Sequence, residues 1–459
     1  MRTFAMSAPA WRPPRRLAVA LLLLANVGAA AAMDLQEAFK AALGHDSVLA
    51  ASQAGIRAAQ EQVNVAQAQL RPNVSFNASR TRNELTRTQS VNARPVTTEE
   101  SYYSQGRSLV VRQPLYRKAL ALGVEQAHAG ERQARFATQY EERNLATRLI
   151  TAYFEVLLGQ DQLHWVEAQM QLTRTQLQSA QRAFAAGSGV RTDIDEAQAR
   201  LDLALADEVV AREQLAYARH QLAVLTGVDS AALVPLDPPR LAQLPLVEGP
   251  VADWMARARE QSPELAALRE RRAAVALEVE RLGAGHYPTL DASLQWVDSA
   301  SENVTTPSSS YRNTSIGLQL SIPLYQGGGT SAAVRQAMAE LDRVDAQIET
   351  SERDLGSRVH QQVRLVLEGQ QRMRALEQAL RSAQQLEYST QRSYEAGART
   401  WIDVLNATQN AQRIRFDLAK ARYDWLLART RLSAFVGAEA AAIVDEANQT
   451  LLKAPTAVQ

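Results

Sequence analysis

Hydrophobic residues recur along this chain with two different periods, one typical of helices and one of strands. Between Leu145 and Phe184, apolar and small residues are spaced alternately four and three apart, which is the heptad spacing of a coiled coil. The positions are Leu145, Leu149, Ala152, Val156, Gly159, Leu163, Val166, Met170, Thr173, Leu177, Ala180 and Phe184. Because residues 115–234 and 324–454 contain no proline, both intervals can hold very long helices.

The first of these intervals predicts a single helix from about Ala119 to Ala186. At a rise of 1.5 Å per residue, such a helix is about 100 Å long, several times the diameter of an ordinary domain. The sequence therefore predicts an elongated molecule with long helices packed as coiled coils.

Four short segments alternate with a period of two and predict β-strands. Their apolar positions are Val74, Phe76 and Ala78, then a weaker run over 109–113, then Leu290, Ala292, Leu294 and Trp296, and finally Ile316, Leu318, Leu320 and Ile322. The polar segments Arg82–Gly106 and Asp298–Asn313 are rich in Ser, Thr and Asn, and we expect them to be solvent-exposed hairpin loops.

The same strands could form a soluble sheet with one wet face, since the signal of a single membrane strand is weak. The strands are joined, however, to helices that are too long for a compact globule. An open four-stranded sheet cannot lie in lipid with bare edges, so a membrane sheet requires several chains to close one barrel.

The two halves of the chain resemble each other. "LRPNVSFNAS" at 70–79 is similar to "HYPTLDASLQ" at 286–295, and "QPLY" at 113–116 is similar to "IPLY" at 322–325. Gly187 and Gly397 are 210 positions apart, as are Gly227 and Gly437. Near-constant offsets indicate an internal duplication, with one helical hairpin of unequal arms in each half.

We divide the chain accordingly. The predicted segments are a signal peptide at 1–32, a first repeat at 33–228, an inter-repeat linker at 229–250, a second repeat at 251–438 and a C-terminal tail at 439–459.

The first 32 residues have the pattern of a secretory signal peptide. Four arginines without any acid precede an apolar run and the small residues "VGAAAA", so we expect cleavage just before Met33. The alternative is an uncleaved anchor, but the run Leu17–Ala32 is short for a bilayer crossing. We therefore expect the mature protein to be exported.

Charge and cysteine content narrow the function further. Without the four arginines, 46 basic and 49 acidic residues remain, a formal charge of −3, and the chain has no basic footprint for nucleic acid. The absence of cysteine excludes a disulfide framework and a lipid-anchored cysteine at the new N-terminus. Membrane attachment would have to come from the fold.

No pattern in the sequence indicates an enzyme, a cofactor or a metal. "YQGGGTSAAV" at 325–334 follows a strand and opens a helix, but it lacks the Gly-Lys-Ser/Thr ending of a phosphate loop and is better explained as a turn. The six histidines are scattered singly, which does not suggest a zinc site. "TDIDE" at 192–196 is explained by acids at a helix start. No Ser/His/Asp constellation with a supporting motif occurs.

Two glycine-centred breaks interrupt the helical pattern, in "FAAGSGVRTDIDEAQAR" at 184–200 and in "YEAGARTWIDVLNATQNAQ" at 394–412. Together with the signal peptide, the repeats, the paired strands and the segment Tyr394–Leu432, they make the chain resemble the TolC family of outer-membrane efflux and secretion channels. The resemblance covers nearly the whole mature chain and is greatest to the unlipidated members.

This resemblance implies a predominantly α, mixed fold in which long coiled-coil helices form a periplasmic α-barrel continuous with a transmembrane β-barrel. It implies a homotrimer with four strands per chain and 12 in the barrel, located in the outer membrane. The implied function is a channel for efflux or type I protein secretion, working with a periplasmic adaptor protein and an inner-membrane transporter. The alternative is a periplasmic coiled-coil adaptor or scaffold, which would leave the four strands without a role.

The resemblance also assigns a periplasmic gate. Tyr394 and Arg399 match the gate aromatic and gate arginine of the family, and Thr192 and Asp193 match their partners in the other hairpin. Charge-assisted hydrogen bonds between them would hold the helix tips closed.

Further positions match the tunnel entrance. Gly187 and Gly397 match the helix-tip turns where the adaptor docks, and Asp403 matches one of two successive acidic rings that select cations. Asn406 replaces the acid of the second ring, and Ser188 replaces the usual apolar residue after the first turn glycine. The alternative for these charged positions is that they are solvated groups near a helix start, with the gate aromatic packed in the coiled coil.

Overall fold

The computed structural model describes residues 32–91, 94–229, 232–245, 247–303 and 306–452. Within these ranges the chain forms ten α-helices and four β-strands. They are α1 (Leu35–His45), α2 (Ser47–Ala68), β1 (Asn73–Val91), β2 (Arg94–Tyr116), α3 (Lys118–Ala185), α4 (Arg191–Thr226), α5 (Pro238–Leu241), α6 (Val251–Gln261), α7 (Pro263–Gly283), β3 (Thr289–Asn303), β4 (Thr306–Ser321), α8 (Gly329–Glu395), α9 (Trp401–Phe435) and α10 (Ala440–Asn448). The predicted signal peptide lies outside the described residues except for Ala32.

Each half contains the helical hairpin that the sequence predicts. Helix α3 has 68 residues and is followed by α4 with 36, while α8 has 67 residues and is followed by α9 with 35. The predicted bounds of α3 differ from the observed ones by one residue at each end. No helix in the described ranges is both long enough and apolar enough to cross a bilayer.

The shorter helices lie end to end beside the two long ones. Helices α2 and α4 both pack along α3, whereas α7 and α9 both lie between α3 and α8. The result is a layer of four antiparallel helical columns, two of which are continuous and two of which are broken near mid-height.

The predicted heptad seam of α3 is buried near mid-height and exposed near the tip. Leu145 and Leu149 are fully buried and Val156 is 1% exposed, but Phe184 in the last turn is 45% exposed. The seam therefore contributes to the core near mid-height, where the chain has additional elements that cover it.

These additional elements form a belt, which we define as α1, α6, α10 and residues 232–245. Met33 pairs with Leu233 in a parallel bridge, and Leu236 pairs with Leu451 in an antiparallel one. The hydroxyl of Tyr153 donates to the carbonyl oxygens of Met33 and Val234, both at 2.9 Å. The belt thus ties both ends of the described chain and the linker between the repeats to the middle of α3.

Part of the belt comes from the segment assigned to the C-terminal tail. Residues 440–448 form α10, which packs against α1, α3 and α9. Residues 453–459 lie outside the described residues.

The four strands form one antiparallel sheet in the order β1-β2-β3-β4. The prediction of exposed loops at Arg82–Gly106 and Asp298–Asn313 is wrong, because the described parts of both segments belong to strands. Pairing continues to Val91 opposite Arg94 in the first hairpin. Polar residues on both faces of these strand ends remove the hydrophobic alternation, but the backbone still pairs across the ladder.

The part of the sheet nearest the helices, which we call its lower part, has one apolar and one polar face. In register across the four strands, Val74 lies opposite Val111, Val111 opposite Leu294, and Leu294 opposite Ile316. This apolar face is not covered by another described element, and Ile316 is 84% exposed. An uncovered apolar face of this extent is typical of a surface that contacts lipid or another chain.

Candidate functional site at the helix tips

The turn between α3 and α4 is closed by a Schellman motif. Gly187 has a φ of 75°, the left-handed region that glycine adopts without strain. Its N–H donates to the carbonyl of Phe184, and the N–H of Ser188 donates to the carbonyl of Ala183, both at 3.0 Å. These two bonds satisfy carbonyls at the helix end that would otherwise be unpaired.

The turn between α8 and α9 repeats this arrangement 210 positions later. Gly397 has a φ of 77°, its N–H donates to the carbonyl of Tyr394, and the N–H of Ala398 donates to that of Ser393, both at 2.8 Å. The structure therefore places Gly187 and Gly397 at equivalent points, where each long helix reverses its direction.

The helices that leave the two turns start differently. Thr400 begins α9 with a capping box: the Asp403 carboxylate accepts from the Thr400 N–H at 2.9 Å and from its hydroxyl at 2.8 Å, and the Thr400 hydroxyl accepts from the Asp403 N–H at 3.3 Å. At the equivalent position of α4, Val190 offers no side-chain cap. The start of α9 therefore has three side-chain hydrogen bonds that the start of α4 lacks.

The same contacts set the charge of Asp403. The N–H and the hydroxyl of Thr400 lower the pKa of the Asp403 carboxyl, and Arg399 lowers it further. Asp193 is the equivalent acid of the first tip, and its carboxylate forms no hydrogen bond or ion pair with another described side chain or backbone group. Of these two equivalent acids, Asp403 is bonded within its own tip and Asp193 is not.

The remaining gate candidates of the second tip also contact residues of their own hairpin. Arg399 lies 3.9 Å from Asp403, with both side chains exposed to solvent. The Tyr394 ring packs against that of Trp401 at 5.5 Å between centroids. In the part of the chain that the structure describes, neither Tyr394 nor Arg399 bonds to Thr192 or Asp193. A latch between these groups remains a prediction that requires contact between hairpins.

The entrance acid and its neutral successor lie on one face of α9. Asp403 is partly exposed and Asn406 is exposed, whereas Val404, Leu405 and Ala407 between and beside them are buried. A side chain one turn after Asp403 therefore faces the same surroundings as Asp403. This face is where a second acidic ring would lie if Asn406 were an acid.

Two residues of the tips were missed by sequence reasoning. A Cβ on Gly189 would lie 2.9 Å from the backbone N of Phe184 and 3.0 Å from the carbonyl carbon of Ala183, so only glycine fits there. The second glycine of "AGSG" at 186–189 is the feature of the sequence that could have indicated this tight turn. Trp401 packs under the turn, and its buried indole N–H has no hydrogen-bond partner among the described residues.

Within the described ranges, no group of three or more His, Asp or Glu side chains is arranged to hold a metal ion. The tips instead combine backbone turns with exposed charges.

Comparison with known proteins places the whole architecture in one family. Residues 26–228 and 254–438 match the family model described as outer membrane efflux protein. The chain is 33% identical over 433 residues to the alkaline protease secretion protein AprF of Pseudomonas aeruginosa, covering 92% of this chain and 87% of AprF. It is 30% identical over 419 residues to the proteases secretion protein PrtF of Dickeya chrysanthemi, covering 90% of each.

A solved structure shares the fold at lower identity. The Campylobacter jejuni CmeC outer membrane channel superposes with a TM-score of 0.74 and 12% identity, covering 98% of both chains. The predicted fold class, with long coiled-coil helices continued by membrane strands, is confirmed.

Proposed function

Because this chain belongs to the outer membrane efflux protein family, we propose that three copies of it form an exit duct through the outer membrane. The protein is located in that membrane, with its helices in the periplasm. The duct would carry cargo from an inner-membrane transporter to the exterior, with a periplasmic adaptor joining the two.

The observation that carries the proposal is the pair of free edges of an apolar sheet. Within the described residues, β1 and β4 each pair along one edge only. Lipid provides no hydrogen-bonding partner for an open edge, so the sheet must close with other copies. Because β1 and β4 run in opposite directions, joining β1 of one copy to β4 of the next continues the antiparallel pattern around a barrel.

The helical columns extend the barrel away from the membrane. Each chain contributes four columns directly below its four strands, so three chains would supply 12 strands and 12 columns. A scaffold without a channel would use the helices but would leave the apolar face of the sheet uncovered. The fold thus supports a continuous passage more than a scaffold.

The relatives suggest the kind of cargo. AprF and PrtF are both described as secretion proteins for proteases. We infer that this chain serves type I secretion of a polypeptide, with efflux of small molecules as the alternative within the same family. The duct itself carries out no reaction, so the energy would come from the transporter.

We assign the gate to the two tips. Tyr394 and Arg399 of one hairpin would contact Thr192 and Asp193 of another hairpin, with Gly187 and Gly397 forming the turns that the adaptor meets. The free carboxylate of Asp193 supports this assignment, because it is available to pair with a guanidinium from a neighbouring hairpin.

Engineered disulfides test the assembly directly, because the natural chain has no cysteine to interfere. Single cysteines would be placed along β1 and along β4, for example Ser75→Cys with a series from Asn313 to Gln319, and oxidised in outer-membrane vesicles. For one register of cysteine pairs we expect crosslinked dimers and trimers on a denaturing gel. Light scattering of the protein in detergent should give the mass of a trimer. A monomer in detergent that conducts ions, or a periplasmic location on fractionation, would rule the duct out.

A further inference from the structure

A small cavity lies at mid-height, where the two short helices of the second repeat meet end to end. Helix α9 ends at Phe435 and α7 begins at Pro263, and the gap between them, flanked by α3 and α8, encloses about 250 Å³. We call this cavity the niche. The charged and larger polar side chains that line it are Tyr140, Arg143, Asn144, Glu264, Arg358 and Arg431.

One of the three arginines of the niche is neutralised within the chain. Arg358 donates to the Glu264 carboxylate at 2.8 Å, lies 2.9 Å from an oxygen of Asp354, and stacks over the Phe435 ring at 5.1 Å. With two acids and an aromatic ring around it, Arg358 brings no unpaired charge to the niche.

The other two arginines are not neutralised in this way. Arg431 forms no hydrogen bond or ion pair with another described residue. Arg143 reaches only the carbonyl of Gln261, at 3.5 Å, and burial lowers the pKa of its guanidinium, partly offset by Glu439 and Glu142. A half-buried guanidinium with unused N–H donors favours an anion that can accept them.

The corresponding point of the first repeat lacks the cation that Arg431 supplies. There Asp46 caps α2 and lies 3.1 Å from Arg148, which corresponds to Arg358 at the offset of 210. The position that corresponds to Arg431 is Gln221, which is neutral. The unpaired charge of Arg431 is therefore a property of the niche and not of both helix junctions in this chain.

The Arg431 side of the niche lies opposite the belt, whereas Arg143 also lines a cavity against α1 and α10 of the belt. Arg429 bonds to Glu446 of the belt, and Arg431, two residues later, lies about 200° around α9. Likewise Gly356 faces α6 of the belt, and Arg358 lies about 200° from it around α8. In the proposed duct the belt lies on the outside of the assembly, so Arg431 and Arg358 face the interior of the tunnel.

We propose that the niche binds carboxylate groups of the cargo as it passes through the tunnel. The inference rests on the proposed function, because only a duct brings cargo to this face. The guanidinium fork of Arg431 matches the two oxygens of a carboxylate, the Asn144 amide adds neutral donors, and Arg143 adds positive charge from the belt side. A cavity of this size takes one acidic side chain or one small acid. Acidic residues of an unfolded polypeptide and free small carboxylates share this chemistry.

A binding measurement on the full-length protein in detergent separates these sources. One probe is a fluorescent, unstructured peptide with several aspartates, compared with the same peptide carrying asparagines, and the second probe is citrate. We expect the aspartate peptide to bind at least tenfold more tightly than the asparagine peptide, and excess citrate to displace it if free acids also enter. If micromolar citrate displaces the aspartate peptide, small acids are ligands of the niche. If citrate displaces the peptide only at concentrations that raise the ionic strength, the ligand is the polypeptide.

Variants locate the binding to the niche. Arg431→Gln and Arg143→Gln should each lower the affinity for the aspartate peptide about tenfold. Arg431→Lys should have an affinity between those of the glutamine variants and the natural chain, because lysine keeps the charge but not the guanidinium fork. The matched control is Arg353→Gln, which corresponds to Arg143 in the second repeat and is 75% exposed on the belt side of α8. It should bind as the natural chain does.

Two results would overturn the proposal. Equal binding of the aspartate and asparagine peptides would remove it, and so would an effect of Arg353→Gln as large as that of Arg431→Gln. Light scattering and bilayer conductance of the same preparations test the duct separately. A trimer that conducts ions but does not bind the acidic peptide would support the duct and show that the niche is not a binding site.

Discussion

Both Nε and Nη2 of Arg429 donate to one carboxylate oxygen of Glu446, at 2.7 and 2.5 Å. Arg429 is 9% exposed and also donates to the carbonyl of Pro245, so it joins α9, α10 and the inter-repeat linker at one point. Removing the Glu446 carboxylate leaves the buried Arg429 guanidinium without these two bonds.

We expect Glu446→Gln to lower the free energy of unfolding by about 1.5–3 kcal/mol, since it replaces charge-assisted hydrogen bonds in a mostly buried site. Thermal melting in detergent measures the change. The control is Arg413→Ala, which removes an exposed pair with Asp417 on the same helix, 4.0 Å apart, and should cost less than about 0.5 kcal/mol. Equal losses in both variants would show that the Arg429 contact adds nothing specific.

Gly189→Ala should destabilise the first helix tip by about 1–3 kcal/mol, because its Cβ would collide with the backbone at Phe184. Hydrogen exchange of residues 183–193 should become faster while the rest of α3 is unchanged. Gly283→Ala is the control, since nothing lies within 4 Å of its Cβ position and its φ of −61° suits alanine. Unchanged exchange at the tip would mean that the turn adapts to a side chain.

The gate assignment predicts a change in conductance. Arg399→Ser or Asp193→Ala should raise the single-channel conductance in planar bilayers, because each removes one charge of the proposed latch between hairpins. The conductance of the double variant should be close to that of the more affected single variant, as expected for two partners in one bond. If both single variants and the double conduct like the natural protein, these residues are ordinary surface charges.

Asp403 should give the channel a moderate preference for cations. A carboxylate repeated around a threefold axis attracts counter-ions at a narrow passage, so Asp403→Asn should reduce the selectivity and Asn406→Asp should increase it. Trivalent cations should block the natural channel weakly and the Asn406→Asp channel more strongly. Reversal potentials across a salt gradient measure both effects, and an Asp403→Asn channel with unaltered selectivity would place this carboxylate outside the passage.

The pH dependence of this selectivity follows from the contacts of Asp403. Its pKa is lowered by Thr400 and Arg399, so the carboxylate stays charged as the pH falls through the ordinary value for aspartate, about 3.9, and is neutralised only below it. Selectivity should therefore persist at pH 4 and disappear at lower pH. Thr400→Val removes the hydroxyl bond, raises the pKa toward its ordinary value, and should shift this loss to higher pH. The same midpoint in both proteins would contradict the role of Thr400.

The sequence by itself determined the long helices, their reversal points and the duplication. The absence of proline and the regular heptads act within one helix, and for α3 they predicted the bounds to within one residue. Gly187 and Gly397 were recognisable for a local reason as well, because a positive φ is a property of a single residue. The apolar alternation of the lower strands similarly reports the two faces of a sheet from within each strand.

The tertiary structure alone decided the features that depend on distant segments. The upper parts of the strands are polar on both faces, so only pairing between strands shows that Arg82–Val91 is not a loop. The belt joins Met33, Leu233 and Leu451, which no local pattern connects. Whether Arg358 is neutralised and Arg431 is not depends on which acids the folded chain brings to each. A charge in a sequence has no partner until packing provides one, and that is why the niche could not be predicted from the residues that form it.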